Sequence, residues 1–234
     1  MSYFYFIILL SLIKGFSLFA IENNYSINKK LNLDKIRNKI VNIENSNLKS
    51  LYSELKLNNF LEFEVFSNAV NGLNRIKASK KDILTIIDFS SSSLKKRFFV
   101  IDLKKKKVLY STYVMHGKNS GDEFTTSFSN TLNSYQSSPG FFVTENSYIG
   151  AYGYSLRLKG LEKGINDKAK ERAIVIHGSQ YANPIPGAKS LSKSLGCPAI
   201  PKELSKEVID LIKNGSVIYA HTNKQFYLKK SSFI

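Results

Sequence analysis

The chain has 234 residues, with 34 Lys and Arg against 18 Asp and Glu for a formal charge of +16, and one cysteine. Its 43% apolar and 12% aromatic content excludes wholesale disorder. A single cysteine excludes a disulfide framework and a cysteine-rich zinc module, and no apolar run reaches the ~18 residues that a polytopic membrane protein would need.

Tyr3 to Ile13 is almost continuously apolar, and Lys14 and the small residue Ala20 follow it. That arrangement reads as an export signal over residues 1–20, with a short uncleaved N-terminal anchor or a buried helix as the alternatives. Residues 21–57, rich in Asn, Lys and Ser, read as a partly helical polar spacer. From Asn58 the pattern tightens. Phe63, Phe66, Val70 and Leu73 recur at helical spacing, with Ala69 and Ile76 beside them, and predict an amphipathic helix.

After Ser79 the period shortens. Leu84–Asp88, Arg97–Leu103, Lys107–Met115, Gly140–Thr144, Tyr154–Leu158, Ala173–His177 and Ser216–His221 are rich in Ile, Val, Phe and Tyr and are separated by turn formers, so they predict strands. One late helix follows Pro201, with Leu204, Val208, Leu211 and Ile212 as its buried stripe and Asn214–Gly215 as its stop. The expected domain is mainly β, of the α+β kind, over 58–222, with a tail over 223–234. The positive charge suits an anionic envelope surface, a membrane or nucleic acid and does not choose among them.

The chemistry concentrates around Cys197. A lone thiol in an exported chain has no bridge partner, and it sits between Gly196, which permits close backbone approach, and Pro198, which fixes φ. The bland alternative is a small buried hydrophobe. His177 ends a strand and is followed at once by Gly178, so its ring emerges beside a turn. An imidazole there can take the thiol proton and later protonate a leaving amine. It needs a third group on its other nitrogen. His116, His177, His221 and Cys197 could also supply four zinc donors, although no two of them share a short ligand spacing.

Ile176–His177–Gly178 followed by Ser194–Leu195–Gly196–Cys197–Pro198–Ala199 resembles the His-Gly … Ser-x-Gly-Cys signature of the L,D-transpeptidase catalytic domain. Ser138–Pro139–Gly140–Phe141–Phe142 is similar to that family's Thr-Pro-x-Gly-x-Phe strand. Ile87–Asp88–Phe89–Ser90, His116–Gly117–Lys118–Asn119–Ser120–Gly121, Ser127–Phe128–Ser129–Asn130, Gly153–Tyr154–Ser155–Leu156–Arg157–Leu158 and Gly160–Leu161–Glu162 look like its murein L,D-transpeptidase branch. The resemblance implies a β-sandwich of mixed sheets with N-terminal helices and one late helix.

It further implies Cys197 as nucleophile, His177 as general base and acid, and the Gly178 carbonyl orienting the imidazole. Backbone N–H groups around Gly196 and Cys197 would hold the oxyanion. Ser194, Arg157, His116 and Tyr154 are the expected substrate contacts, with Arg157 the candidate for a substrate carboxylate against the plainer reading of a solvated strand arginine. Its substrates would be peptidoglycan peptide stems in the periplasm or cell envelope, cross-linked through a thioester with L,D-carboxypeptidase trimming as a side activity. Neither metal nor organic cofactor enters that chemistry, and nucleic acid is not an expected partner. Two departures stand out: Leu195 replaces the family's usual His, and Pro198–Ala199 replace a usual Arg or Asn after the cysteine. The rival readings are a noncatalytic wall-binding member of the same fold, a nucleic-acid binder and a zinc-dependent envelope hydrolase.

Overall fold

The computed structural model describes residues 39, 42, 43 and 45–234. The expected signal over 1–20 and most of the spacer lie outside the described residues. The chain divides into two units, Met1–Ser50 and Leu51–Ile234. In the first, the described residues are helical.

Besides residues 51–54, which are also helical, the second unit holds α1 (Phe63–Arg75), α2 (Lys202–Ile212) and α3 (Gln225–Lys230), together with eight strands. The strands are β1 (Lys80–Asp88), β2 (Phe98–Asp102), β3 (Lys107–Thr112), β4 (Gly140–Gly150), β5 (Gly153–Gly160), β6 (Val175–Ser179), β7 (Ala199–Pro201) and β8 (Ser216–His221). They form one mixed sheet in the order β3-β2-β1-β8-β4-β5-β6-β7. The mainly β class expected from the sequence is the class observed, with all eight strands hydrogen-bonded into one continuous order. Two parallel pairs, β1 with β8 and β6 with β7, make it mixed.

The ends of that order meet. Met115, just beyond β3, donates its N–H to Ala199 O of β7 at 2.8 Å. Ser194 N–H donates to His116 O at 2.9 Å, and Lys118 N–H to Ser194 O at 2.8 Å. This covers the exposed edge groups that an open sheet leaves unpaired. One apolar cluster accordingly gathers Ile87 and Val100 from one half of the sheet with Leu156, Ile176 and Ile200 from the other, and Val208, Ile209 and Ile212 from α2.

The predicted helix stripe is seen in α1, where Phe66, Ala69, Val70 and Leu73 are buried. Gly72 sits on the same face, where an added methyl would run into the Phe141 ring, so the helix can press directly on β4. α2 begins after Pro201 and ends ahead of Asn214 and Gly215, both with positive φ (64° and 102°). The structure departs from the sequence reading at several bounds: β1 begins at Lys80 and not Leu84, β3 ends at Thr112 and not Met115, and β6 is Val175–Ser179 and not Ala173–His177, so His177 sits mid-strand. β4 runs past Thr144 to Gly150 through a register shift between Thr144 and Ser147. β7 is a short added strand. Residues 225–230 are helical, and Tyr227 within them is fully buried.

Candidate functional site

β6 and the loop leading to β7 build the site. The parallel β6–β7 register pairs His177 with Ala199, two residues beyond Cys197, which brings thiol and imidazole to one end of the same pair of strands. Cys197 and His177 line a pocket of about 230 Å³ together with Met115, Tyr152, Tyr181 and Lys193. Gly178 and Ser194 line it too. Gly178 is fitted to its place: a methyl there would strike the Ser205 side chain of α2.

Cys197 is 6% exposed. Its Sγ accepts the Val175 N–H at 3.5 Å and lies 3.5 Å from Ala173 O, to which the thiol can donate. Ala173 carries φ +52°, a region L-residues seldom occupy, and strain of this kind concentrates at functional sites. Burial pushes the thiol pKa up, while the Val175 N–H and the Arg172 cation pull it back down.

His177 is 5% exposed. Burial holds its pKa below the ordinary 6.5, against the raising effect of its bond to Gly178. Its Nδ1 lies 3.1 Å from Gly178 O. A carbonyl only accepts, so Nδ1 carries the proton and Nε2 presents a lone pair. The ring of Tyr152, 52% exposed, stacks on the imidazole. Burial thus disfavours the charged form of both groups.

The loop that carries Cys197 is internally braced. Gly196 has φ +120° and donates its N–H to Ser194 Oγ at 3.1 Å, while Ser194 Oγ donates to Cys197 O at 2.6 Å. The Gly196 amide is therefore engaged, and the expected oxyanion contact narrows to the Cys197 N–H.

The remaining expected substrate contacts do not converge on this pocket. His116 is buried, with Nδ1 accepting from Arg97 at 2.7 Å and Nε2 facing Gly121 O at 3.0 Å. Burial and Arg97 drive its pKa down to about 4. It braces the 116–126 loop and does not reach the pocket. Tyr154 turns toward α2, where its hydroxyl donates to Asp210 at 2.6 Å. Arg157 lies one step along the sheet: Ser155 pairs with His177 and Arg157 with Val175. Paired residues share a face, so Arg157 and His177 are on the same side. His221 contacts Tyr219 OH at 2.9 Å. Among the described residues no three His, Cys, Asp or Glu side chains are grouped to hold a metal ion, so the four candidate zinc donors are dispersed.

The family model of the L,D-transpeptidase catalytic domain matches residues 57–221, most of the chain and all of the site. The chain belongs to the L,D-transpeptidase catalytic domain family. No curated protein matches it. Solved structures similar to it include an L,D-transpeptidase from Mycobacterium smegmatis, at 12% identity over 60% of this chain and 59% of that one, TM-score 0.38. Another is the helical cell shape determining protein Pgp2 from Campylobacter jejuni, at 10% identity over 68% and 57%, TM-score 0.42. A third is an L,D-transpeptidase (Yku) from Stackebrandtia nassauensis, at 13% identity over 76% and 77%, TM-score 0.37. The chain thus spans less than two thirds of the Mycobacterium smegmatis protein's length.

This member of the L,D-transpeptidase family carries site residues that sequence patterning missed. Tyr152 occupies the two-residue turn between Gly150 and Gly153, and that Gly-x-x-Gly spacing was a usable hairpin signal. Arg172 and Lys193 carry no local signal.

Proposed function

We propose that this protein performs cysteine-dependent acyl transfer on peptidoglycan stem peptides. The observation that carries the reading is the sharing of one pocket by Cys197 and a His177 whose unprotonated Nε2 is set by the Gly178 carbonyl. Substrate binding excludes water, Nε2 takes the thiol proton, and Sγ attacks the carbonyl between the L- and D-centres of the stem. The Cys197 N–H stabilises the oxyanion. The tetrahedral intermediate collapses to a thioester as His177 returns the proton to the departing D-amino acid. An amine of a second stem then completes a cross-link, or water completes trimming.

Arg157 supplies an anion contact for the same substrate. Its guanidinium lies 3.8 Å from the Tyr148 ring centroid, and with Lys170 it lines a second pocket of about 100 Å³. The floor is Ala173, Ile174 and Val175, the segment that touches Sγ. Two cations there, with no carboxylate partner among the described residues, suit a stem carboxylate. Export by a signal over 1–20 and residence in the periplasm or envelope complete the reading.

The test is intact mass after incubation with a carbapenem. The expected result is one adduct on the wild type, none on C197A and slowed formation on H177A. The burial of Cys197 favours a second reading, a noncatalytic wall-binding member of the family. Folded wild type that takes no adduct and resists a thiol reagent would establish that alternative.

A further inference from the structure

Behind the nucleophile loop, and outside the pocket, lies a half-buried guanidinium. Arg172 Nη1 donates to Ser129 O and Ser138 Oγ, and Nη2 donates to Ser134 Oγ at 3.0 Å and Gln136 O at 2.6 Å. All of these partners belong to the 129–138 segment, and all are neutral. The same segment touches the nucleophile loop. A methyl at Gly196 would sit 2.9 Å from Gln136 O and 3.6 Å from Arg172 Nη2, and Ser137 Oγ lies 3.4 Å from Gly196 O. Arg172 is also joined directly to Ala173, whose carbonyl faces the thiol.

We propose that Arg172 is a positioning residue that clamps the 129–138 segment under the Gly196–Cys197 turn and supplies the positive charge that makes the buried thiolate attainable. No carboxylate neutralises it among the described residues. A full charge on neutral acceptors, 3.6 Å from where a Gly196 methyl would sit, favours the anionic form of a nearby group. The effect matters because burial pushes the thiol pKa up and the His177 pKa down, so both groups are driven toward their neutral forms. The other charged groups around the thiol are Arg157 and Lys170, against the Ala173–Val175 segment that contacts Sγ, and, in the thiol pocket itself, Lys193. Its Nζ is engaged with Asp122 O and Ser190 Oγ. The role deepens the proposed acyl transfer, but its test does not depend on that activity.

Cys197 is the only cysteine, so alkylation of the whole chain reports this thiol alone. Iodoacetamide labelling followed by intact mass across pH 5–11 gives the thiol titration midpoint. R172Q is expected to raise the midpoint by about one pH unit, whereas R172K, which keeps the charge, leaves it near the wild-type value. S134D leaves Arg172 in place and sets a carboxylate against Nη2, so it too raises the midpoint, while S134N does not. S134D keeps the test decisive if R172Q does not fold. Unchanged midpoints in S134D and in folded R172Q would overturn the proposal. A carbapenem failure accompanied by the predicted midpoint shifts would instead remove only the transferase reading.

Discussion

The Tyr152 ring lies on the His177 imidazole, centroids 4.4 Å apart and planes 17° from parallel. Stacking in that geometry fixes the plane of the imidazole without using either nitrogen, so the Gly178 bond on Nδ1 and the free Nε2 are both preserved. It also shields one ring face from water, which is part of the burial that lowers the His177 pKa. Y152A is therefore expected to slow Cys197 acylation by about three- to tenfold, from the ~0.5–1.5 kcal/mol such ring pairs contribute, and Y152F to retain most of the rate. The sign of the pH effect follows. Because the folded His177 pKa lies below 6.5, the neutral base persists below that pH in the wild type, and its acidic limb falls there. In Y152A the limb moves up toward 6.5. A pH–rate profile of carbapenem acylation measures both, and an unmoved limb would show that Tyr152 contributes no burial.

Glu162 makes a second pH prediction, in stability. It is buried and accepts from Phe141 N–H at 2.6 Å, Tyr227 OH at 3.3 Å and Ser231 Oγ, tying α3 and the C-terminal residues to β4. Burial raises its pKa above the ordinary 4.5 despite those bonds. A raised carboxyl contributes stability that is fully present below the unfolded value and is lost as pH rises through the folded one. E162Q does not titrate, so its Tm relative to wild type should climb as pH increases from 4 to 7. A Tm difference that stays flat or falls over that interval would contradict the assignment.

The Arg157 pocket predicts a split in kinetic constants. R157Q removes a contact to a group remote from the reacting carbonyl, so KM for a synthetic stem peptide should rise about tenfold, the equivalent of ~1.4 kcal/mol, with kcat little altered. Peptides amidated at the C-terminus, or at the side chain of the third residue, identify which carboxylate is bound. The wild type should discriminate against one amide and R157Q against neither. Equal discrimination by both enzymes would move the anion site elsewhere.

The strands were legible because runs such as Ile83–Ile87 and Phe98–Ile101 are dense in β-formers and end at turn residues. α1 and α2 declared themselves by apolar spacing, and α2 by the Asn214–Gly215 stop as well. β7 escaped because three residues adjoining Cys197–Pro198 offer no period, and it exists only through its partners on β6 and at Met115. α3 is six residues, too short for a stripe, and is held by Tyr227 and Glu162, which are far apart in sequence. At the site, the adjacency of Cys197 and His177 was readable from their motifs, although His177 lies mid-way along β6 and not at its end. Whether Arg157, His116 and Tyr154 reached them depended on side-chain direction. His116 was claimed by the buried Arg97 and Tyr154 by Asp210, contacts between segments that no local pattern connects.

The bridges Met115–Ala199 and Gly117–Ser194 bracket the four residues that hold the thiol. Their consequence is positional: the turn that carries the thiol is pinned by backbone pairings to the far end of the strand order, so its place depends on residues distant from it in sequence. Loosening the Met115–Ala199 pair should therefore register as easier thiol labelling of Cys197 before any loss of the sheet.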